Sequence, residues 1–264
     1  MTTTTLARPI RPKNRRLLAL ASAAEATARA MVRDPAVTVV VAGDQPRYEW
    51  KTKTLYVSNW SEEPDDPEIC SAWRGNLDHE CAHIEFTDFA ALEKAQGAWR
   101  REFGAAIDRV HMVWNAFEDP WIEIAYGGMW PGAKYNLRVS GEYVHRRTGG
   151  ASVTDPAFVH PQGTQPMGQF GAFLQAILRA NPHHPLMGLD EVHPTTRALV
   201  EAVKSEVEAG WNARSTDDAI AAAEALWRKL QDLGAAAKSE PEAGEAAGEG
   251  EGEGEGEGEG EGEG

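Results

Sequence analysis

The sequence predicts an α+β fold: a small, mostly antiparallel sheet packed on a helix, a mainly helical remainder and a disordered acidic tail. Three observations predict it. A β-branched run, Ala36-Val37-Thr38-Val39-Val40-Val41, is bounded by Pro35 and Gly43, and apolar residues alternate partially across 47–58. From Asp66 to about Tyr126 the apolar residues recur at helical spacing instead. From Lys238 onward the chain turns to Glu, Gly, Pro and Ala and ends in an unbroken Glu-Gly alternation, with no large apolar residue to bury.

Each element has its own reason. Arg8, Arg11, Lys13, Arg15 and Arg16 precede a short run of Leu and Ala, which resembles the charged and apolar regions of a signal peptide. However, Leu17, Leu20, Ala24, Ala28 and Met31 keep helical spacing past any cleavage point, so an amphipathic helix starting near Asn14 and a cytoplasmic protein are expected. Tyr48, Trp50, Leu55, Tyr56 and Val57 point to a hairpin whose better strand is 54–58. After a polar loop at 61–66, Asp66-Pro67-Glu68 has the capping carboxylate, first-turn proline and early acid of a helix start. The Gly, Pro and Thr content of 127–166 predicts irregular structure, and helices resume at 168–180, 195–209 and 216–233. The chain thus divides into an N-terminal helical segment (1–35), a main domain (36–237) and a disordered Glu-Gly tail (238–264).

Charge excludes some functions. The 264 residues carry 26 Lys+Arg against 41 Asp+Glu, a formal net charge of −15. Eleven of those acids lie beyond residue 239, which leaves the body close to neutral. Without a basic excess, nucleic-acid binding is not expected. No apolar run reaches the ~18 residues a spanning helix needs, so no membrane span is expected either. Cys70 and Cys81 make no disulfide framework and fit a reducing compartment.

One motif carries chemistry. His79-Glu80-Cys81-Ala82-His83 is an HExxH within the long helical stretch. Residues four apart project from one helix face, so both imidazoles can reach one zinc ion. Glu80, about 100° round the helix, can take a proton from an attacking water without being a ligand. Cys81 points to another face and reads as packing. A catalytic zinc needs a third protein ligand and an open position. Phe86 and Phe89 stand where metzincins place a glycine and a third histidine, which excludes that class. Downstream, Ile107, Val110, Trp114, Phe117 and Trp121 form a core stripe. Beside it His111, Asn115 and Glu118 fall on one polar line, which makes Glu118 the expected third ligand, with Asp119 or Glu123 as replacements. Pro120 should kink the helix or restart it there. Asp88 and Asp119 could orient the ligand histidines or cap helices, and His111 could stabilise an oxyanion or make a structural hydrogen bond. Tyr126, Tyr143 and His145 are further candidate donors, while His183-His184 between prolines reads as a surface loop.

The blocks Trp73-Arg74-Gly75-Asn76-Leu77-Asp78-His79-Glu80-Cys81-Ala82-His83, continuing to Thr87-Asp88-Phe89, and Asn115-Ala116-Phe117-Glu118-Asp119-Pro120-Trp121-Ile122-Glu123 resemble the amino-terminal part of the cobalt-chelatase CobT-like family. That family comprises metallopeptidase-like proteins associated with von Willebrand factor A domains. The resemblance covers about residues 50–140, with Trp121 where the family usually has arginine, and the A domain that follows in many members is missing. It implies a zincin-like, gluzincin-type metallopeptidase domain and, by association, an AAA+ ATPase or A-domain partner. It does not imply cobalt chelation. The expectation is therefore a zinc-dependent peptidase acting on a peptide or protein, with His79, His83 and Glu118 holding the metal and Glu80 as general base. The competing expectation is a non-catalytic, metal-stabilised scaffold or adaptor.

Overall fold

The computed structural model describes residues 15–42, 46–60, 66–147, 157, 168–183 and 185–234. The Glu-Gly tail, most of the basic N-terminal segment and His184 lie outside them.

The sheet has three strands, β1 (Thr38–Val41), β2 (Arg47–Glu49) and β3 (Thr54–Val57), in the order β1-β3-β2. The expected hairpin is present, with β2 antiparallel to β3 and Tyr48 opposite Leu55. The sheet as a whole is mixed rather than mostly antiparallel, because β1 runs parallel to β3 with Val39 opposite Leu55. Alternation identifies strands but carries no information on pairing direction. Leu55 and Val57 send their side chains to the fully buried face, which makes β3 the central strand and leaves β2 at one edge.

That face packs on two helices. α1 (Arg15–Met31) contributes Leu17, Ala24 and Ala28, and α2 (Pro67–Phe86) contributes Ile69, Trp73 and Leu77. Asp66 caps α2 as expected, accepting from the Glu68 amide at 2.7 Å. The buried Trp73 indole donates to the Ser58 carbonyl at 2.8 Å, tying the helix to the end of β3.

The rest is helical: α3 (Phe89–Phe103), α4 (Ile107–Met129), α5 (Pro131–Arg147), α6 (Gly168–Arg179), α7 (Pro194–Ala202), α8 (Lys204–Trp211) and α9 (Thr216–Asp232). Two expectations change. α5 occupies the first half of the stretch expected to be irregular. Pro131 stands at its start, where a missing N–H costs nothing, and Ala133, Leu137 and Val139 are buried. The single helix expected across 195–209 is instead α7 and α8, because the buried β-branched Val203 leaves helical dihedrals (φ −123°, ψ 26°).

α4 runs continuously through Pro120 and joins two cores. Its first half (Val110, Trp114, Phe117) packs with α3, α6, α8 and α9, whereas Ile122 and Tyr126 belong to the core of the sheet, α1, α2 and α5. Among the described residues no helix is long and apolar enough to cross a membrane.

α2 and α5 approach most closely at Gly75, where an added Cβ would lie 2.4 Å from the Asn136 carbonyl oxygen and 2.5 Å from Ser140 Cβ. Gly75→Ala should therefore cost about 1–3 kcal/mol of stability through forced helix separation, measurable by urea denaturation.

The same interface buries Asp78, which accepts from Asn136 Nδ2 at 2.8 Å. Burial pushes its carboxyl up to about 6, with the Asn136 hydrogen bond and Arg74 opposing. A folded pKa above the unfolded value means that the native state keeps a proton the unfolded chain has already lost. Stability from this group thus falls as pH rises from about 4 to about 6 and then stays low. Asp78→Asn keeps the shape and an acceptor for Asn136. It should match the wild type near pH 4 and exceed it by about 2 kcal/mol at pH 8 in denaturation curves.

Candidate metal centre

Two helical ridges make the site. On α2, residues four apart bring His79, His83 and Thr87 into one row, and on α4 the same spacing aligns His111, Asn115, Asp119 and Glu123. Where the rows face each other, Asp119 Oδ1 lies 3.3 Å from His83 Nε2 and 3.8 Å from His79 Nε2. Tetrahedral zinc ligands with bonds of about 2.1 Å lie about 3.4 Å apart, so the Asp119–His83 pair has that spacing and the Asp119–His79 pair is slightly wider. His79, His83 and Asp119 form the group that could hold a metal ion.

The orientation of each donor is fixed from behind. His79 Nδ1 lies 2.8 Å from Glu123 Oε1. A carboxylate can only accept, so Nδ1 carries a proton and Nε2 is the nitrogen left to face Asp119 and a metal. His83 Nδ1 lies 2.9 Å from Thr87 Oγ1, and the Thr87 hydroxyl is in turn bonded to Glu118. With that hydroxyl proton directed to the Glu118 carboxylate, Thr87 accepts from His83, and His83 Nε2 is likewise left to face Asp119 and a metal. Asn115 Nδ2 donates to Asp119 Oδ2 at 2.6 Å. Asp119 Oδ1 is closed to solvent and has no hydrogen-bond partner among the described residues. A buried anionic oxygen without a donor is costly, and a cation between it and the two imidazole nitrogens removes that cost. Burial disfavours charge on His79, but Asp119, Glu123 and Glu80 outweigh it and push its pKa up to about 10. Positive charge is stabilised here from several sides.

The group that the structure brings together has Asp119, one of the expected replacements, in the place expected of Glu118. Glu118 is fully buried but turned aside, accepting from Thr216 Oγ1 and Trp121 Nε1, each at 2.8 Å. Burial raises its pKa, and the bonds from Trp121, Thr216 and Thr87 oppose the shift. Glu118 belongs behind His83, linked through Thr87. The line His111–Asn115–Glu118 counts one residue too few, because the face turned to α2 follows steps of four to Asp119. The signal was in the sequence, but only the direction in which α2 crosses α4 selects it.

Glu80 is 4% exposed and lines, with His79 and His83, a cleft of about 560 Å³. Burial raises its pKa, with His79 and His83 pulling it back down. The opposite wall of the cleft includes Arg47, Tyr48 and Glu49 of the edge strand β2, which sequence reasoning did not connect with the site. His111 also lines the cleft. It is bonded to Gln96 (Nε2···Nδ1 3.2 Å), and burial lowers its pKa.

The remaining candidates fall elsewhere. Asp88 caps α3, accepting from the Ala90 and Ala91 amides. Tyr126 is buried in the core beside Cys81, whose thiol burial pushes up to about 12, in keeping with packing. Tyr143 packs on Trp60, and His145 lies 2.8 Å from Arg179 Nη1. His183 bonds to Asn212 in an exposed loop.

No family model matches the chain, and neither a curated protein nor a solved structure matches it. The resemblance therefore rests on the residues themselves.

Metal analysis separates the roles of the carboxylates. His79→Ala, His83→Ala and Asp119→Ala should each abolish stoichiometric metal in the purified protein. Glu118→Ala should lower stability by about 1–3 kcal/mol, because it leaves buried donors on Thr216 and Trp121 unpaired, yet retain most of the metal.

Proposed function

We propose that this chain is a zinc-dependent metallopeptidase with a zincin-like architecture. The carrying observation is the orphaned Asp119 Oδ1, set against two histidine nitrogens whose far sides are both anchored, in a cleft that also contains a buried glutamate one residue from the first histidine. Two nitrogens and one carboxylate oxygen suit zinc. Zinc held there would polarise a peptide carbonyl and make water acidic enough to attack it near neutral pH.

The chain's own residues supply the rest. The Glu80 carboxylate takes a proton from the attacking water and returns it to the leaving amine nitrogen. Glu123 and Thr87 hold the imidazoles by Nδ1, so that each Nε2 is turned toward the metal position. The Gln96 amide donates to His111 Nδ1, which places the His111 proton on Nε2, a neutral donor for the developing oxyanion. Because β2 is a sheet edge and lines the cleft, an extended peptide can pair with it as a further strand. That edge, together with the blocks resembling the cobalt-chelatase family, supports a peptide as the substrate.

The cleft also favours an enzyme over a metal-stabilised scaffold. A structural site closes its coordination with protein. Here the described residues offer three donors, and the cleft opens beside them. Glu80→Gln should retain about one zinc per chain and cleave a broad peptide library at least a hundredfold more slowly than the wild type. A wild type that holds zinc but cuts no peptide would decide for the scaffold.

A further inference from the structure

A second cavity of about 440 Å³ adjoins the metal centre and shares His79 and Pro46 with the main cleft. His79, Asp119 and Glu123 line it, as do Arg179, at the end of α6, and Ser140, Val144 and Leu186. Arg179 is 5% exposed, and among the described residues its polar side-chain partners are Gln175 Oε1, 2.6 Å from Nε, and His145 Nδ1, 2.8 Å from Nη1. Both are neutral acceptors, since burial and the adjacent guanidinium lower the pKa of His145. Among the described residues no carboxylate lies within ion-pair distance of Arg179. Asp119 and Glu123, which line the same cavity, are committed to the histidines.

A buried guanidinium without a counter-charge is unfavourable: burial alone lowers its pKa to about 10. It is nevertheless held firmly, because the Leu186 and Met187 amides both donate to the Arg179 carbonyl and fix the end of the helix. Two of its five N–H groups are engaged, which leaves donors for a planar anion.

We propose that this cavity is a substrate subsite for a carboxylate, with Arg179 as the specificity-determining residue. This rests on the peptidase reading. A peptide running along the cleft past His79 brings its next residue into the cavity, where Leu186 and Val144 flank a short aliphatic stem and Arg179 meets the acid. The acid is either an Asp or Glu side chain or the peptide's terminal carboxylate.

The test uses binding, with no turnover. Zinc-loaded Glu80→Gln protein is titrated calorimetrically with N-acetylated hexapeptides in matched pairs, internal Glu against Gln and free C-terminus against amide. In at least one pair the acid should bind about ten- to a hundredfold more tightly, and the responsive pair identifies the source of the carboxylate. Arg179→Gln should abolish that advantage at unchanged zinc content. Val144→Glu, a change at an exposed position lining the same cavity, should also reduce it, which covers the case in which Arg179→Gln fails to fold. Equal affinities in both pairs would overturn the proposal, as would an advantage that persists in either variant. N-acetylglutamate binding to the metal-free protein, compared between wild type and these variants, separates the two readings. Arg179-dependent binding in a protein that cuts nothing would support the subsite and remove the peptidase. Peptide cleavage without acid preference would do the reverse.

Discussion

The site depends on one contact, the meeting of the α2 row His79–His83–Thr87 with the α4 row that ends in Asp119 and Glu123. His79, His83 and Asp119 each sit on a regular helix, so their positions are set by backbone geometry, and the rotation of each is set by a hydrogen bond from behind. The chain from His83 through Thr87 and Glu118 to Thr216 extends this order to the start of α9, about a hundred residues away in sequence. Thr216 also accepts from the Asp88 amide at 2.9 Å, so the start of α3 is fixed by the same group. Glu118, buried and acidic, is the hub that holds α2, α4 and α9 at one separation.

Charge explains why this arrangement suits a cation. Asp119, Glu123 and Glu80 all act on the His79 imidazole, and Asp119 Oδ1 is shut off from water with no hydrogen-bond donor among the described residues. An apolar core has no use for such a cluster, and a hydrogen-bonded network would have paired that oxygen. Arg179 is the complementary case, a buried cation whose counter-ion the described residues do not supply. Both imbalances line one cavity, and in the proposed reading a metal and a substrate acid resolve them separately.

The two cores give the centre its setting. α4 carries Val110, Trp114 and Phe117 into the helical core and Ile122 and Tyr126 into the core under the sheet, so Asp119 falls where the two meet. A boundary between two packed units is where a cleft can exist without leaving a void inside either one. The edge strand β2 reaches this boundary because β3, with Leu55 and Val57 buried, takes the centre of the sheet.

The sequence by itself determined the elements that depend on local periodicity and capping: β3, the start of α2 at Asp66-Pro67, the core stripe of α4, and the pairing of His79 with His83 one helical turn apart. It did not determine features that depend on how elements meet. The parallel pairing of β1 with β3 leaves no trace in alternation. α5 was hidden by Gly and Pro residues that read as breakers, yet Pro131 stands harmlessly at the helix start and α2 covers the apolar face. The same holds at the candidate metal centre. Glu118 and Asp119 are adjacent and chemically alike, about 100° apart round one helix. Nothing local distinguishes a ligand from a buried anchor. The crossing of α2 over α4 decided it, by setting Asp119 against the histidines and turning Glu118 to Trp121 and Thr216. Tertiary structure alone also left Arg179 buried with no carboxylate partner among the described residues, since a lone arginine at a helix end carries no such signal in sequence.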